Sequence, residues 1–339
     1  MPRGHRRDER RAAGPRRGTR PAAGRRDDGG GRMSDRSAPV TLAAVGHIGL
    51  GAMGRPIARN FVRGGRSLIV RDADPAAQQQ FVDEHPTAVG AGGTEDFADC
   101  DVVVLMLPTS DIVDSVVLSE GGLLQHLRPG SVIVDMGSSV PTRTQRLAEI
   151  AAEKGVRLVD APVSGGVARA EQGTLAVMAG GDAAVVDGVT PLLQETGSEI
   201  IRIGPVGSGH AAKALNNLLA ANNVLVAAEA LLVGKKFGID PATLLSVFNA
   251  GSGRNQATET KYEKFVLSRT FDSGFAAALM RKDVGIALDL AHDQGISPVL
   301  GEAIGQVWNA AVEALEPGVD QMAVVRHLEQ VHGVSLDGT

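Results

Sequence analysis

The stretch that most narrows the possible folds lies between Val40 and Pro75, where the chain reads VTLAAVGHIGLGAMGRPIARNFVRGGRSLIVRDADP. A β-rich run, a glycine turn, a helical stretch and a second β-rich run ending in an acid predict a βαβ unit. Gly49, Gly51 and Gly54 are spaced G-x-G-x-x-G. In such a turn the first glycine allows the tight bend, the second admits a pyrophosphate and the third lets helix and strand approach closely. The helix amino terminus then faces the phosphates. The run Gly49, Leu50, Gly51, Ala52, Met53 and Gly54 is therefore expected to cradle a dinucleotide. Asp72 follows Gly49 by 23 residues, at the end of the second strand, placed to accept from both hydroxyls of an adenosine ribose. That acid predicts NAD over NADP, because it would repel a 2′-phosphate and the next residue is Ala73; Arg71, just before it, is the one feature pulling the other way.

Further β-rich runs, DVVVLMLPTS, SVIVDMGSS and VRLVDAPVS, alternate with helical stretches, which predicts a parallel, doubly wound Rossmann-type sheet. Ligands of such sheets bind beyond the carboxyl ends of the strands. Leu107 and Pro108, expected at the cofactor, fall there, as do Thr109, Ser138 and the run PVSGG. Ser164, Gly165 and Gly166 offer a hydroxyl and unobstructed amides suited to a carboxylate, with an ordinary glycine turn as the alternative.

After SEIIRIGPVGSG the pattern changes to helices, giving three expected segments: a basic tail over 1–38, a dinucleotide-binding domain over 39–203 and an all-helical domain over 204–335. Residues 206–236 predict one helix of roughly 45 Å, buried on several sides as a connector or a subunit interface. Lys213 and Asn217 sit i, i+4 within it, on one face. Taken alone, that pair fits a snorkelling lysine beside a capping amide equally well. Lys282 and Asp283 form a second charged pair, which by itself reads as an exposed helix face.

Composition excludes several classes. Residues 1–32 hold eleven arginines, four acids and, after Met1, no apolar residue larger than alanine, so this segment is expected to be disordered and dispensable, with Met33 the better start. One Trp and one Tyr leave no stacking platform for nucleic acid. Cys100, the single cysteine, allows no intramolecular disulfide or cysteine metal cluster and fits a reducing, cytoplasmic setting as a buried thiol. No metal site is expected, and no uninterrupted apolar run of membrane-spanning length is seen. His47 reads as a core or near-cofactor residue and not as a catalytic one.

Four stretches, GHIGLGAMG, DAPVSGGVARAEQGTL, GSGHAAKALNN and FAAALMRKD, in that order from about Val45 to beyond Leu290, resemble the β-hydroxyacid dehydrogenase family. The resemblance implies that Lys213 is the general acid/base, that Ser164, Gly165 and Gly166 hold a substrate carboxylate, that Asn217 orients the substrate, and that Lys282 closes the site near the nicotinamide with Asp283 as its structural neighbour. It implies NAD-dependent oxidation of a small 3-hydroxy acid to a semialdehyde or oxo acid by a homodimer or homotetramer. 3-Hydroxyisobutyrate is the first substrate expected; tartronate semialdehyde, L-serine and L-threonate are alternatives. An imine reductase on the same scaffold is disfavoured by Lys213, and a non-enzymatic NAD-binding sensor by Lys213, Asn217 and Ser164 together. In GSGRNQATETKYEKF the polar residues Arg254, Asn255 and Gln256 depart from the family and are expected to make the pocket more polar.

Overall fold

The computed structural model describes residues 39–337, so the expectation for the basic tail falls outside the described residues. Short apolar runs form the strands β1 (Val45–Ile48), β2 (Leu68–Arg71), β3 (Ala88–Gly90), β4 (Val102–Leu105), β5 (Val132–Asp135) and β6 (Arg157–Asp160), of which β3, at the sheet edge, is largely exposed. The connecting helices are α1 (Gly54–Arg63), α2 (Pro75–Glu84), α3 (Ser110–Leu118), α4 (Leu123–His126) and α5 (Pro141–Glu153). The strands lie in the order β3-β2-β1-β4-β5-β6, all parallel, so that each connection crosses over the sheet. Strands β4 and β5 are buried on both faces, which is why their sequences read as continuous apolar runs.

Beyond β6 the parallel expectation gives way. The chain turns through β7 (Val163–Ser164) and α6 (Gly166–Gln172), too short an excursion for a full crossover, and returns as β8 (Leu175–Gly180), antiparallel to both β6 and β7. Helix α7 (Ala183–Leu193) then delivers β9 (Gly197–Gly204) parallel to β8.

The 30-residue α8 (Ser208–Phe237) is the spine of the remaining chain. Packed on it or on one another are α9 (Pro241–Ala250), α10 (Gln256–Thr260), a π-helical turn over Tyr262–Leu267, α11 (Ala277–Asp293), α12 (Val299–Ala314) and α13 (Val324–His332). Trp308 and Tyr262 are fully buried in the core they enclose, and the Tyr262 hydroxyl donates to Val224 O of α8. By length and composition α8 could cross a bilayer, with a mean hydropathy of 1.5 over its most apolar window, although its apolar run is not uninterrupted. Half of that window is buried inside the protein, and Lys213, Asn216, Asn217, Asn222 and Asn223 interrupt the helix.

The amino terminus of α8 has no side-chain cap of its own, since the residue before it, Gly207, has no side chain to accept with. The cap comes from the sheet: Asp160, fully buried at the end of β6, accepts from Gly207 N at 2.7 Å and His210 N at 2.8 Å. An anion beside the exposed amides of a helix start stabilises it, so Asp160 ties the α8 register to the strand ends. Gly209 completes the contact, because a Cβ there would overlap Met178 O of β8.

Candidate active site

At the carboxyl ends of β1, β2 and β4 lies a cleft of about 710 Å³. Gly49, with φ +101°, makes the bend after β1, and a Cβ there would overlap Met106 O. A Cβ at Gly54 would overlap Gly49 O, which is the close helix–strand approach expected of the third glycine. Nothing lies within 4 Å in front of Gly51, so the loop's middle faces open space where a pyrophosphate can pass.

His47 supports this bend from beneath. It is fully buried, and its Nε2 lies 2.9 Å from Gly49 O; a carbonyl can only accept, so Nε2 carries the proton. Burial lowers its pKa to about 4 against weaker opposing contributions, keeping the ring neutral near pH 7. Asp72 Oδ2 accepts from Leu50 N at 2.5 Å and Oδ1 from Asp74 N at 2.8 Å. The Leu50 side chain is buried, so this residue serves the loop through its amide. The unused lone pairs of Asp72, on the cleft wall with Ala73, suit a ribose diol. Ala52, Met53, Leu107 and Pro108 line the same cleft. These residues fit NAD.

The cleft extends to Leu279, one turn of α11 before Asp283. Asp283 is 1% exposed and gathers three donors: Ser138 Oγ at 2.8 Å, Asn217 Nδ2 at 2.5 Å and Lys282 Nζ at 2.9 Å. Lys282 also donates to Ser138 O at 2.6 Å. The small residues Ala214 and Ala287 lie in the contact between α8 and α11, allowing the close approach. Lys282 thus sits in a network joining α11 to the loop after β5, and it is not part of the cleft wall, where a cofactor contact had been expected. Asn217 is buried and spends one amide hydrogen on Asp283, so that contact fixes its orientation.

Lys213 stands one turn before Asn217 on α8. Its ammonium has no hydrogen bond or ion pair among the described residues. Burial lowers its pKa first; Asp283 draws it back up, while the charges of Lys282 and Lys261 push it down. An amine held below the ordinary lysine range is suited to exchange protons near neutrality.

Ser164 is half-buried at the end of β7, and its hydroxyl is bonded to no described residue. Gly165 and Gly166 follow with φ +137° and +72°, a conformation other residues rarely adopt. Space in front of Gly166 is open, whereas a Cβ at Gly165 would crowd Arg169 and Leu175. Strand β8 lies between this turn and the start of α8.

Three placements were not anticipated. Asp160 caps α8, Asp283 is the hub of the polar network, and Lys261 acts electrostatically on Lys213. The polar triad expected to line the pocket does other work. Asn255 caps α10 by accepting from Ala257 N and Thr258 N, while exposed Gln256 and Arg254 face Thr260 and Glu259. Lys261, half-buried like Asn255, stands at the opposite end of α10. An asparagine ahead of a helix with Thr at its third position was the signal for a cap. Cys100 is buried and burial raises its thiol pKa to about 11. No metal-binding cluster occurs among the described residues.

Comparison with known proteins agrees with this geometry. The family described as the NAD binding domain of 6-phosphogluconate dehydrogenase matches residues 44–204, and that described as NAD-binding of NADP-dependent 3-hydroxyisobutyrate dehydrogenase matches 207–328. The chain is 39% identical to 2-(hydroxymethyl)glutarate dehydrogenase of Eubacterium barkeri, over 87% of this chain and 97% of that protein. It is 36% identical to the NAD-dependent L-serine dehydrogenase of Pseudomonas aeruginosa, over 77% and 89%. Among solved structures, Mycobacterium tuberculosis 3-hydroxyisobutyrate dehydrogenase with L-serine superimposes with a TM-score of 0.76 at 29% identity, covering 85% of this chain and 99% of that one. With a glycine cradle and ribose acid for NAD, and a desolvated lysine beside the Asn217–Asp283 pair, the chain belongs to the β-hydroxyacid dehydrogenase family.

Proposed function

We propose that the chain oxidises a small acid bearing its hydroxyl on the carbon β to the carboxylate, with Lys213 as the base that removes the hydroxyl proton. The observation carrying this reading is the half-buried Lys213 ammonium, without a hydrogen-bond partner among the described residues and held at lowered pKa beside the Asn217–Asp283 pair. Ser164 and the amides of Gly165 and Gly166 take the substrate carboxylate, and Asn217, locked by Asp283, presents its remaining amide hydrogen to the substrate. The cofactor, when bound, accepts the hydride that leaves the carbinol carbon. Lys213 takes the hydroxyl proton and releases it to solvent, so the alcohol loses one proton to the lysine and one hydride, with its electron pair, to the cofactor to give the aldehyde or oxo acid. Orientation and proton transfer are the protein's contributions.

The relatives named for 2-(hydroxymethyl)glutarate and L-serine share a hydroxymethyl group next to a carboxylated carbon, which supports this substrate class. NADH formation measured with 2-(hydroxymethyl)glutarate, 3-hydroxyisobutyrate, L-serine and L-threonate tests it. Lys213→Ala is expected to lower turnover by about 100-fold or more while NAD still binds. Undiminished turnover in that variant would refute the role of Lys213.

A homodimer accompanies this reading. Leu215, Leu219, Val226, Val233 and Phe237 are exposed along α8 at intervals of four, seven, seven and four residues, the last 85% exposed. That spacing makes one continuous apolar stripe, which suits a second copy packed on the same helix.

A further inference from the structure

Lys261 ends α10 and leads into the π-helical turn. Helix α10 packs on α8, and the neighbouring Tyr262 is pinned to Val224 O, so the backbone of Lys261 is fixed against the helix that carries Lys213. Its half-buried ammonium has neither hydrogen bond nor ion pair among the described residues. Asp320, the carboxylate whose field reaches it, is already engaged by Ser273 Oγ at 2.8 Å, Phe275 N at 3.1 Å and Met322 N at 2.8 Å. Asp283 is likewise occupied by Ser138, Asn217 and Lys282. The charge of Lys261 therefore bears on Lys213 in a partly desolvated site, and no counter-ion among the described residues is bonded to either side chain. Like charges so placed call for an anion, and the first substrate carboxylate is taken by Ser164 and its glycines.

We infer that Lys261 is a specificity-determining residue that binds a second carboxylate of the substrate, so that the preferred substrates are 3-hydroxy dicarboxylic acids. The inference rests on the reading of Lys213 and Ser164 given above. Burial lowers the Lys261 pKa and Asp320 raises it; a carboxylate delivered by the ligand restores the interaction that desolvation removed.

The test measures kcat and KM at saturating NAD for 2-(hydroxymethyl)glutarate and for 2-(hydroxymethyl)pentanoate, which has a methyl group in place of the distal carboxylate. Wild type, Lys261→Gln and Lys261→Arg are compared. Wild type is expected to prefer the diacid. Lys261→Gln should lower the diacid-to-monoacid ratio of kcat/KM by roughly 10- to 100-fold, chiefly through KM for the diacid, the scale of one or two charge-assisted hydrogen bonds. Lys261→Arg should restore most of the preference. In Lys261→Gln the acid limb of the pH profile should also move to higher pH, because a like charge acting on Lys213 is gone. Equal use of the two acids by wild type, or an unchanged ratio in Lys261→Gln, would overturn the assignment of Lys261 and leave Lys213 as the base. Absence of Lys213-dependent oxidation of both acids would overturn the two readings together.

Discussion

Replacing Asp283 with asparagine should destabilise the protein and yet make Lys213 a base at lower pH. The carboxylate is 1% exposed, accepts hydrogen bonds from Ser138 at 2.8 Å and Asn217 at 2.5 Å, and is ion-paired with Lys282 at 2.9 Å. An asparagine Oδ1 can still accept from Asn217, and the Ser138 hydroxyl can rotate to accept from the new Nδ2. The Lys282 ammonium cannot accept, so it loses its anion and keeps only Ser138 O. One charge-assisted bond is lost and two become neutral, a loss of about 3 kcal/mol, or roughly 5 °C in the thermal midpoint for a protein of this size. The electrostatic effect is separate. Asp283 raises the Lys213 pKa while burial, Lys282 and Lys261 lower it, so removing Asp283 leaves only the lowering influences. Oxidation needs unprotonated Lys213, so the acid limb of kcat/KM should move to lower pH in Asp283→Asn. The assays are a thermal melt and a pH profile of NADH formation below the melting range. A limb that stays in place or moves to higher pH would refute the assignment of Lys213 as the titrating base near Asp283.

Three further outcomes are expected. Asp72→Ser should weaken NAD and improve NADP use, changing the ratio of their kcat/KM values by roughly 10-fold or more, because the 2′-phosphate repulsion and the ribose hydrogen bonds disappear together; an unchanged ratio would show that Asp72 does not face the ribose. His47 has a folded pKa of about 4 against an ordinary value of 6.5. Above the higher value neither state takes a proton; between the two only the unfolded chain does, so folding should lose about 3 kcal/mol as pH falls from 6.5 to 4. Urea midpoints across that range should fall less steeply in His47→Gln than in wild type, and parallel slopes would contradict the buried neutral imidazole. Leu219→Asp with Phe237→Asp should convert a species of twice the chain mass into one of single mass by light scattering; a mass independent of these residues would place any self-association elsewhere.

The parts legible in the sequence were those whose partners are close along the chain. The bend at Gly49, the approach at Gly54 and the acid at Asp72 belong to one strand–turn–helix–strand unit, so spacing alone placed them. The extent of α8 followed from an apolar run between glycines. The loop carrying Arg254, Asn255 and Gln256 was read by polarity alone, and there the expectation failed, because an asparagine ahead of a helix serves the backbone amides first.

By itself, the sequence determined that a dinucleotide-binding α/β unit precedes a helical segment and that Lys213 and Asn217 share a face. Tertiary structure alone decided what surrounds them. Asp283 meets Asn217 across 66 residues and Ser138 across 145, and Asp160 reaches the start of α8 across 50. No local periodicity encodes those meetings. They depend on the crossing of α11 over α8 and the seating of α8 on the sheet, which follow from summed packing of many side chains, and that packing also sets the burial that lowers the Lys213 pKa.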